Sequence, residues 1–261
     1  MYILMTDETN VTESETVKFF IYGGLILHAD KLQPLTEAIE AIRIEYGLKA
    51  GDPLKFDTRA RPEHVSIEDY TAAKGRVIEV CAALGTEFVS YMILHKIAKE
   101  DKSVLVGYGL NTIISVFNFT YLEEHDAHGV VVVDRLPFKQ DYDFLKGKFS
   151  VGLLMDDGRQ LRLNRIDLFA SSCDGASHLS SAVDIVLGAF RFCVNYPDSE
   201  VSKKIFGKVA GMLYHKLKGD THLIRERGLT MRPKEIKVAT YQQEYDDVVA
   251  RLVKLAMDSE D

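Results

Sequence analysis

The chain opens with an apolar stretch that alternates like a β-strand and ends in two acids. Read with a period of two, Met5 shares a face with Asp7, whereas Leu4 shares the opposite face with Glu8. A second apolar run, residues 17–28, follows a polar stretch suited to a loop. The pattern predicts an antiparallel pair of strands. It leaves open whether the two acids only end the first strand or carry chemistry.

The rest of the chain alternates between helical and extended patterns. Further strands are predicted at 86–97, 129–138 and 159–170, and helices at 32–48, 66–84, 111–124, 177–195, 201–218 and 239–257. Ser66 supplies a capping hydroxyl before acids in the first turn of its helix. The order predicts an α/β fold with a mixed sheet flanked by helices. We expect residues 1–198 to form the main domain and residues 199–261 a helical C-terminal extension packed on the same domain.

Composition indicates an ordinary globular protein. Hydrophobic residues make up 46% and charged residues 27% of the 261 residues. No run approaches the roughly 18 apolar residues of a membrane span, and the N-terminus lacks a signal-peptide pattern, so we expect no membrane partner. Cys81, Cys173 and Cys193 have no Cys-x-x-Cys spacing, which argues against a zinc knuckle or a disulfide framework. We interpret them as buried thiols of a cytoplasmic protein.

Charge is distributed unevenly along the chain. The net charge is −7, yet residues 201–240 hold ten basic and three acidic side chains, a local excess of +7. We call residues 201–240 the basic zone; Lys204 and Lys208 are its candidates for contacts with phosphates. The alternative is a solvated helix face whose charges serve solubility.

Three carboxylates lie where a carboxylate needs an explanation. Asp134 ends the run of four valines at 130–133, and Asp184 is the only charged residue from Leu179 to Phe190. Burying an unpaired carboxylate is costly, so such a group protonates or acquires a partner or a metal. The alternatives are a turn-forming Asp134 and an Asp184 satisfied by neighbouring serines or a backbone amide. With Asp7, these acids would suit Mg²⁺ or Mn²⁺ ions that clamp a phosphodiester.

Several common motifs are missing from the sequence. There is no Gly-x-x-x-x-Gly-Lys loop for nucleoside triphosphates and no Gly-x-Ser-x-Gly nucleophile elbow. The pair His125 and His128 lacks a third ligand motif, so we interpret the segment between them as a hydrophilic turn.

Four short segments, in order, resemble one known family over about 190 residues. They are "TDET" before "FFIYGGLILH", "PLKF" (53–56), "VVVDR" (131–135) and "FASSCDGASHLSSAVDIVLGAFRF" (169–192). These segments resemble the Asp-Glu-Ser-Gly start, the Glu-Leu-Lys-aromatic segment, the central strand ending in Asp and the closing Gln-x-x-Asp helix of an uncharacterised bacterial family, domain of unknown function 3800. The chain departs from that pattern at Thr9–Asn10, Asp52–Pro53 and Ser181.

The resemblance implies a ribonuclease-H-like fold in which acids on a first strand, a central strand and a late helix hold two metal ions. Asp7, Asp134 and Asp184 take those places. Glu8 matches the second acid of the Asp-Glu pair, as a ligand or as a hydrogen-bond acceptor behind the ligands. Lys55 matches the family's lysine and is a candidate for a phosphate contact.

The departures raise the question of activity. Asp52–Pro53 stands where the family has Glu-Leu, so a missing carboxylate would have to be replaced by another acid such as Asp57, or the metal would bind more weakly.

From the acids, the basic residues and the resemblance together, we expect an Mg²⁺- or Mn²⁺-dependent nuclease whose basic zone guides a nucleic acid. The alternatives are an inactive binding or regulatory module with the same fold, and a metal-dependent hydrolase of a small phosphorylated molecule. The choice between DNA and RNA and the oligomeric state stay open.

Overall fold

The computed structural model describes residues 1–9, 17–98, 101–136, 141–155, 157–173, 175–218 and 221–258. In these residues the strands are β1 (Tyr2–Thr9), β2 (Phe19–His28), β3 (Glu87–Leu94), β4 (Gly129–Asp134), β5 (Leu153–Leu154), β6 (Gln160–Leu161), β7 (Ile166–Ser172), β8 (Lys216–Lys218), β9 (Thr221–Leu223) and β10 (Leu229–Met231). The α-helices are α1 (Leu32–Glu45), α2 (Ile67–Ala83), α3 (Lys102–Val116), α4 (Leu122–Glu124), α5 (Asp141–Ser150), α6 (His178–Asn195), α7 (Glu200–Gly211) and α8 (Ala239–Asp258). A π-helical turn, Phe117–Tyr121, joins α3 to α4.

Six strands form one mixed sheet in the order β10-β3-β2-β1-β4-β7. β1 pairs antiparallel with β2, and β2 pairs antiparallel with β3. β4 lies parallel to β1, and β7 lies parallel to β4. The first strand is therefore central and has the predicted antiparallel partner on one side. The prediction of an α/β fold with a mixed sheet flanked by helices is confirmed.

The sheet carries a hydrophobic core on each face. Helices α1, α2, α6, α7 and α8 pack on the face of Ile3 and Met5, and helix α3, its π-helical turn and α5 pack on the face of Leu4. Strand alternation produces this division, because successive side chains of β1 point to opposite sides. The predicted face assignment of the first strand is confirmed.

Helix α3 begins earlier than the sequence pattern predicts. The prediction was 111–124, whereas the continuous helical stretch starts at Lys102 and passes through the π-helical turn. By length and composition, the helical stretch Ser103–Glu124 is long and apolar enough to cross a membrane, although half of its apolar part is buried. The expectation of no membrane partner stays a prediction. Leu110 and Ile114 pack in the core against β2, which is the arrangement of a core helix.

The C-terminal part of the chain is not wholly helical. The helix predicted at 201–218 ends at Gly211, and Leu229–Met231 forms β10, which pairs parallel with β3 and extends the main sheet. A buried strand of three residues is too short to establish a period of two, and its place in the sheet depends on a distant partner. Elsewhere α5 was not predicted, and the strand predicted at 159–170 is divided between β6 and β7.

The predicted helix cap at Ser66 is confirmed. Ser66 accepts a hydrogen bond from the amide of Asp69 at 2.9 Å, as expected of a helix cap.

Of the three cysteines, Cys81 and Cys193 are buried, but Cys173 is exposed, so the interpretation of all three as buried thiols was wrong for Cys173. It lies just after the edge strand β7, where only one side of the chain is covered.

Candidate functional site

Two of the predicted acids lie side by side at the ends of neighbouring parallel strands. Thr6 of β1 pairs with Val133 of β4, and Asp7 and Asp134 are the next residues along each strand. Both acids are half-buried. By strand alternation they share the sheet face on which α6 packs. We call Asp7, Asp134 and Asp184 the acid cluster.

The pKa of Asp7 reports this crowding. Burial and, after it, the negative charges of Asp134 and Glu8 raise the pKa of Asp7 to about 8, and Asp184 adds a smaller effect. A hydrogen bond of 2.7 Å from the backbone amide of Glu8 to Asp7 Oδ1 opposes the rise. The carboxylates are therefore close enough to repel one another, and a bound cation would relieve that repulsion.

Helix α6 brings Asp184 over this end of the sheet. Leu187 of α6 lies directly over Gly23 of β2, where a Cβ atom would meet Leu187 Cδ1 at 2.9 Å. Gly23 pairs in turn with Asp7 across β1 and β2. The missing side chain at Gly23 lets the helix approach the strand that carries the first acid.

Asp184 is held by a distant segment of the chain. Its Oδ2 accepts a hydrogen bond of 2.6 Å from the backbone amide of Phe56. One turn further along α6, a Cβ atom on Gly188 would lie 2.5 Å from Cβ of Phe56, so only glycine permits this approach. A backbone amide therefore satisfies one oxygen of Asp184, which is one of the alternatives that the sequence left open.

A buried lysine organises the loop that reaches Asp184. Lys74 of α2 donates hydrogen bonds to the carbonyl of Phe56 at 3.0 Å and to Thr58 Oγ1 at 3.2 Å. Its ammonium lies 5.2 Å from the ring centre of Phe56 and 5.3 Å from that of Tyr70. Burial lowers the pKa of Lys74, and the negative charges of Asp57 and Asp184 oppose that effect. We call residues 53–58, which these contacts position, the clamp loop.

Arg191 adds positive charge beside the acid cluster. It lies two turns after Asp184 on the same helix, 5.7 Å from the ring centre of Phe56. Burial lowers the pKa of Arg191, whereas the charges of Asp184 and Asp57 act to raise it. Sequence reasoning missed both Lys74 and Arg191. The spacing of seven residues between Asp184 and Arg191 was a usable signal, because it places both on one helix face.

The remaining predicted acids take other positions. Strand alternation places Glu8 on the face of Tyr22, opposite to Asp7. Asp57, the suggested replacement for a missing carboxylate, caps a short 3₁₀ turn and forms an ion pair of 2.7 Å with Arg59, which lowers its pKa. Asp52 accepts a hydrogen bond from the amide of Lys49 at 2.6 Å. The structure therefore gives Asp52 and Asp57 local roles in turns.

The donor chemistry of the acid cluster fits Mg²⁺ or Mn²⁺, since hard divalent cations prefer carboxylate oxygens. The geometry is less complete. Within the described part of the chain, no three His, Cys, Asp or Glu side chains lie close enough together to hold one ion as they stand. Asp7 and Asp134 would need Asp184 to turn toward them, and the hydrogen bond from Phe56 restrains that movement.

A cavity of about 690 Å³ opens beside Asp184. It lies between α1, residues 50–55 and the start of α6, and both Lys55 and Ser181 line it. The structure thus brings Lys55 and Asp184 to one concavity. Asp7 and Asp134 are not among the residues that line it.

The basic zone is largely paired with glutamates. Lys208 contacts Glu79 at 2.6 Å, and Glu124 binds two basic residues of the zone. The six basic residues found in such pairs among the described residues are Lys203, Lys208, Lys216, Arg227, Arg232 and Lys234. Lys204 lies on the exposed side of α7. This arrangement favours the alternative of a solvated, charge-paired surface over a continuous track for phosphates.

No protein-family model matches the chain. A comparison with curated proteins finds no match either.

Proposed function

We propose that this protein is a metal-dependent phosphodiester hydrolase acting on nucleic acid, with a ribonuclease-H-like fold. The observation that carries the proposal is the crowding of Asp7 against Asp134 at the ends of two adjacent parallel strands, beneath the helix that carries Asp184. Carboxylates whose pKa is raised by burial and by neighbouring carboxylates are typical of sites built for cations or for proton transfer. The resemblance requires acids on a first strand, a central strand and a late helix to converge. The fold proposal is supported by the central position of β1, which lies beside β4 and under α6.

In this proposal Asp7, Asp134 and Asp184 would hold Mg²⁺ or Mn²⁺. A divalent cation bound there would supply Lewis-acid stabilisation of the charge that develops on the phosphate. The chain's own groups orient the ligands. The Phe56 amide fixes one oxygen of Asp184. Lys74 fixes the loop that carries this amide.

The first test is cleavage of labelled single- and double-stranded DNA and RNA with Mg²⁺ and then Mn²⁺. We expect cutting by the native chain and a loss of at least a hundredfold in Asp184→Asn and Asp134→Asn. Asp57→Asn is the matched control, because it removes a nearby carboxylate that pairs with Arg59. Equal loss in Asp57→Asn would indicate general damage to the loop rather than loss of a ligand.

A second candidate is a binding or regulatory module that keeps the fold without the chemistry. It is favoured by the lack, within the described residues, of three ligand groups within reach of one ion. Thermal unfolding with added Mn²⁺ distinguishes the two candidates. A rise in Tm that disappears in Asp134→Asn supports the enzyme. The module gains support if Mn²⁺ leaves Tm unchanged and no substrate is cut.

A further inference from the structure

The cavity beside Asp184 has the size and shape of a site for a small molecule. Its volume of about 690 Å³ lies within the range of roughly 300–1,000 Å³ that is usual for such sites. Its walls come from three separate parts of the chain: α1, residues 50–55 and the first turns of α6. A cavity of this volume holds one compact unit, whereas an extended strand needs a long groove lined with cations.

Local contacts hold several charged groups of the walls. Glu40 of α1 contacts His178 of α6 at 3.1 Å and Arg43 at 3.6 Å. Arg43 also donates to the carbonyls of Lys49 and Asp52 at 2.8 and 2.9 Å. These contacts fix the shape of the walls. Because Glu40 and Arg43 bring charges of opposite sign together, this part of the cavity suits an uncharged polar group.

Hydroxyl groups line this part of the cavity; those of Thr36 and Ser180 donate to the carbonyls of Leu32 and Ser177, so they offer a ligand acceptor oxygens. Thr36 lines one side of the cavity, and Ser177, Ser180 and Ser181 line the other. Ser181 lies three residues before Asp184. Because glutamine is much larger than serine, a glutamine at position 181 would fill part of the cavity.

Lys55 and Asp184 line the cavity close to each other, because Asp184 accepts the hydrogen bond of Phe56, the residue after Lys55. Asp184 belongs both to the cavity and to the acid cluster whose charges raise the pKa of Asp7. A ligand that fills the cavity therefore places one end beside Asp184. If the proposed function holds, the phosphate of the substrate belongs at that end, within reach of Lys55.

We infer that this cavity binds a single phosphorylated unit of nucleotide size, with its phosphate at the Lys55–Asp184 end and its uncharged part among the hydroxyls. The inference rests on the proposed function for the position of the phosphate. The same unit has two possible sources, a free nucleotide and the end of a strand. The paired charges of the basic zone agree with it, since no long track for phosphates is required.

Calorimetric titration with adenosine 5′-monophosphate in the presence of Mn²⁺ tests the inference directly. We expect binding by the native chain and at least tenfold weaker binding by Ser181→Gln, which fills the cavity. Ser103→Gln is the matched control, because Ser103 is exposed on α3 on the other face of the sheet. Binding that is absent in the native chain, or equal in Ser181→Gln, overturns the inference.

Competition experiments identify the source of the unit. A short linear oligonucleotide that displaces the nucleotide, while a circular single strand does not, assigns the cavity to strand ends. Failure of both to compete assigns it to free nucleotides, and equal competition by the circle overturns the inference. The proposed function fails separately: nucleotide binding without any metal-dependent cutting keeps the cavity and removes the nuclease. Cutting that persists in Ser181→Gln, together with nucleotide binding equal to that of the native chain, keeps the nuclease and removes the cavity.

Discussion

Replacing Lys74 by methionine tests whether the clamp loop depends on one buried ammonium. Methionine keeps an unbranched, apolar stem of similar length, so the packing in α2 is largely preserved. The substitution removes the donor to the carbonyl of Phe56 and to the hydroxyl of Thr58. It also removes a cation from the rings of Phe56 and Tyr70.

The expected loss is the difference between opposing contributions. A hydrogen bond from a charged group contributes about 1.5–3 kcal/mol, and a cation–π contact about 0.5–2 kcal/mol. Against these stands the cost of burying the ammonium, which is visible in the lowered pKa of Lys74. We expect a net loss of about 2 kcal/mol in the free energy of unfolding, which lowers Tm by about 4–8 °C in a chain of this size.

Urea and thermal unfolding at pH 7 measure this loss, with Arg76→Met as the control on the same helix. Arg76 is half-exposed and pairs with Glu79, so its replacement should change stability by less than about 0.5 kcal/mol. Limited digestion with trypsin gives a local measurement, since cleavage after Arg59 should be faster in Lys74→Met. A midpoint that stays equal or rises would refute the reasoning, because the burial penalty would then exceed the contribution of the contacts.

Three further predictions follow from single features of the structure. In the presence of a chelator, Asp7→Asn should be more stable than the native chain, and the gain should grow from pH 5 to pH 8. The folded chain keeps a proton on Asp7 up to about pH 8 while the unfolded chain loses it near pH 4, so native stability falls across that interval; a constant gain would contradict the pKa. Gly188→Ala should cost about 1–3 kcal/mol, because the new methyl group meets Phe56. Gly207→Ala, in a helix and with open space around it, should be neutral or stabilising in the same unfolding assay. A thiol reagent should label Cys173 rapidly in the native chain and the other two cysteines only after unfolding, as mass spectrometry can measure.

Local patterns in the sequence predict much of the framework. The alternation through Leu4 and Met5 is enough to assign the two faces of β1, since one side chain can point only to one side of a strand. Ser66 caps its helix through an atom three residues away. The position of Asp184 among apolar residues correctly predicts that its carboxylate needs a partner.

Contacts that join distant segments are not predictable in this way. The partner of Asp184 is the amide of Phe56, and every residue except proline has such an amide. Lys74 has the same pattern in the sequence as an exposed helical lysine, because only the folded clamp loop turns it into a buried donor. Leu229–Met231 forms a strand because it pairs with the edge of β3. Its own three residues do not predict a strand.

That late strand has a consequence for the synthesis of the protein. On its outer edge, β3 pairs through Ser90, Tyr91 and Met92 with Leu229–Met231, which leaves the ribosome after the other five strands of the main sheet. Until then the nascent sheet has a bare edge, and bare edges pair readily with other chains. We therefore expect a chain that stops at residue 198 to aggregate rather than to fold as a smaller unit, and the nascent protein to depend on chaperones until residues 229–231 have been translated.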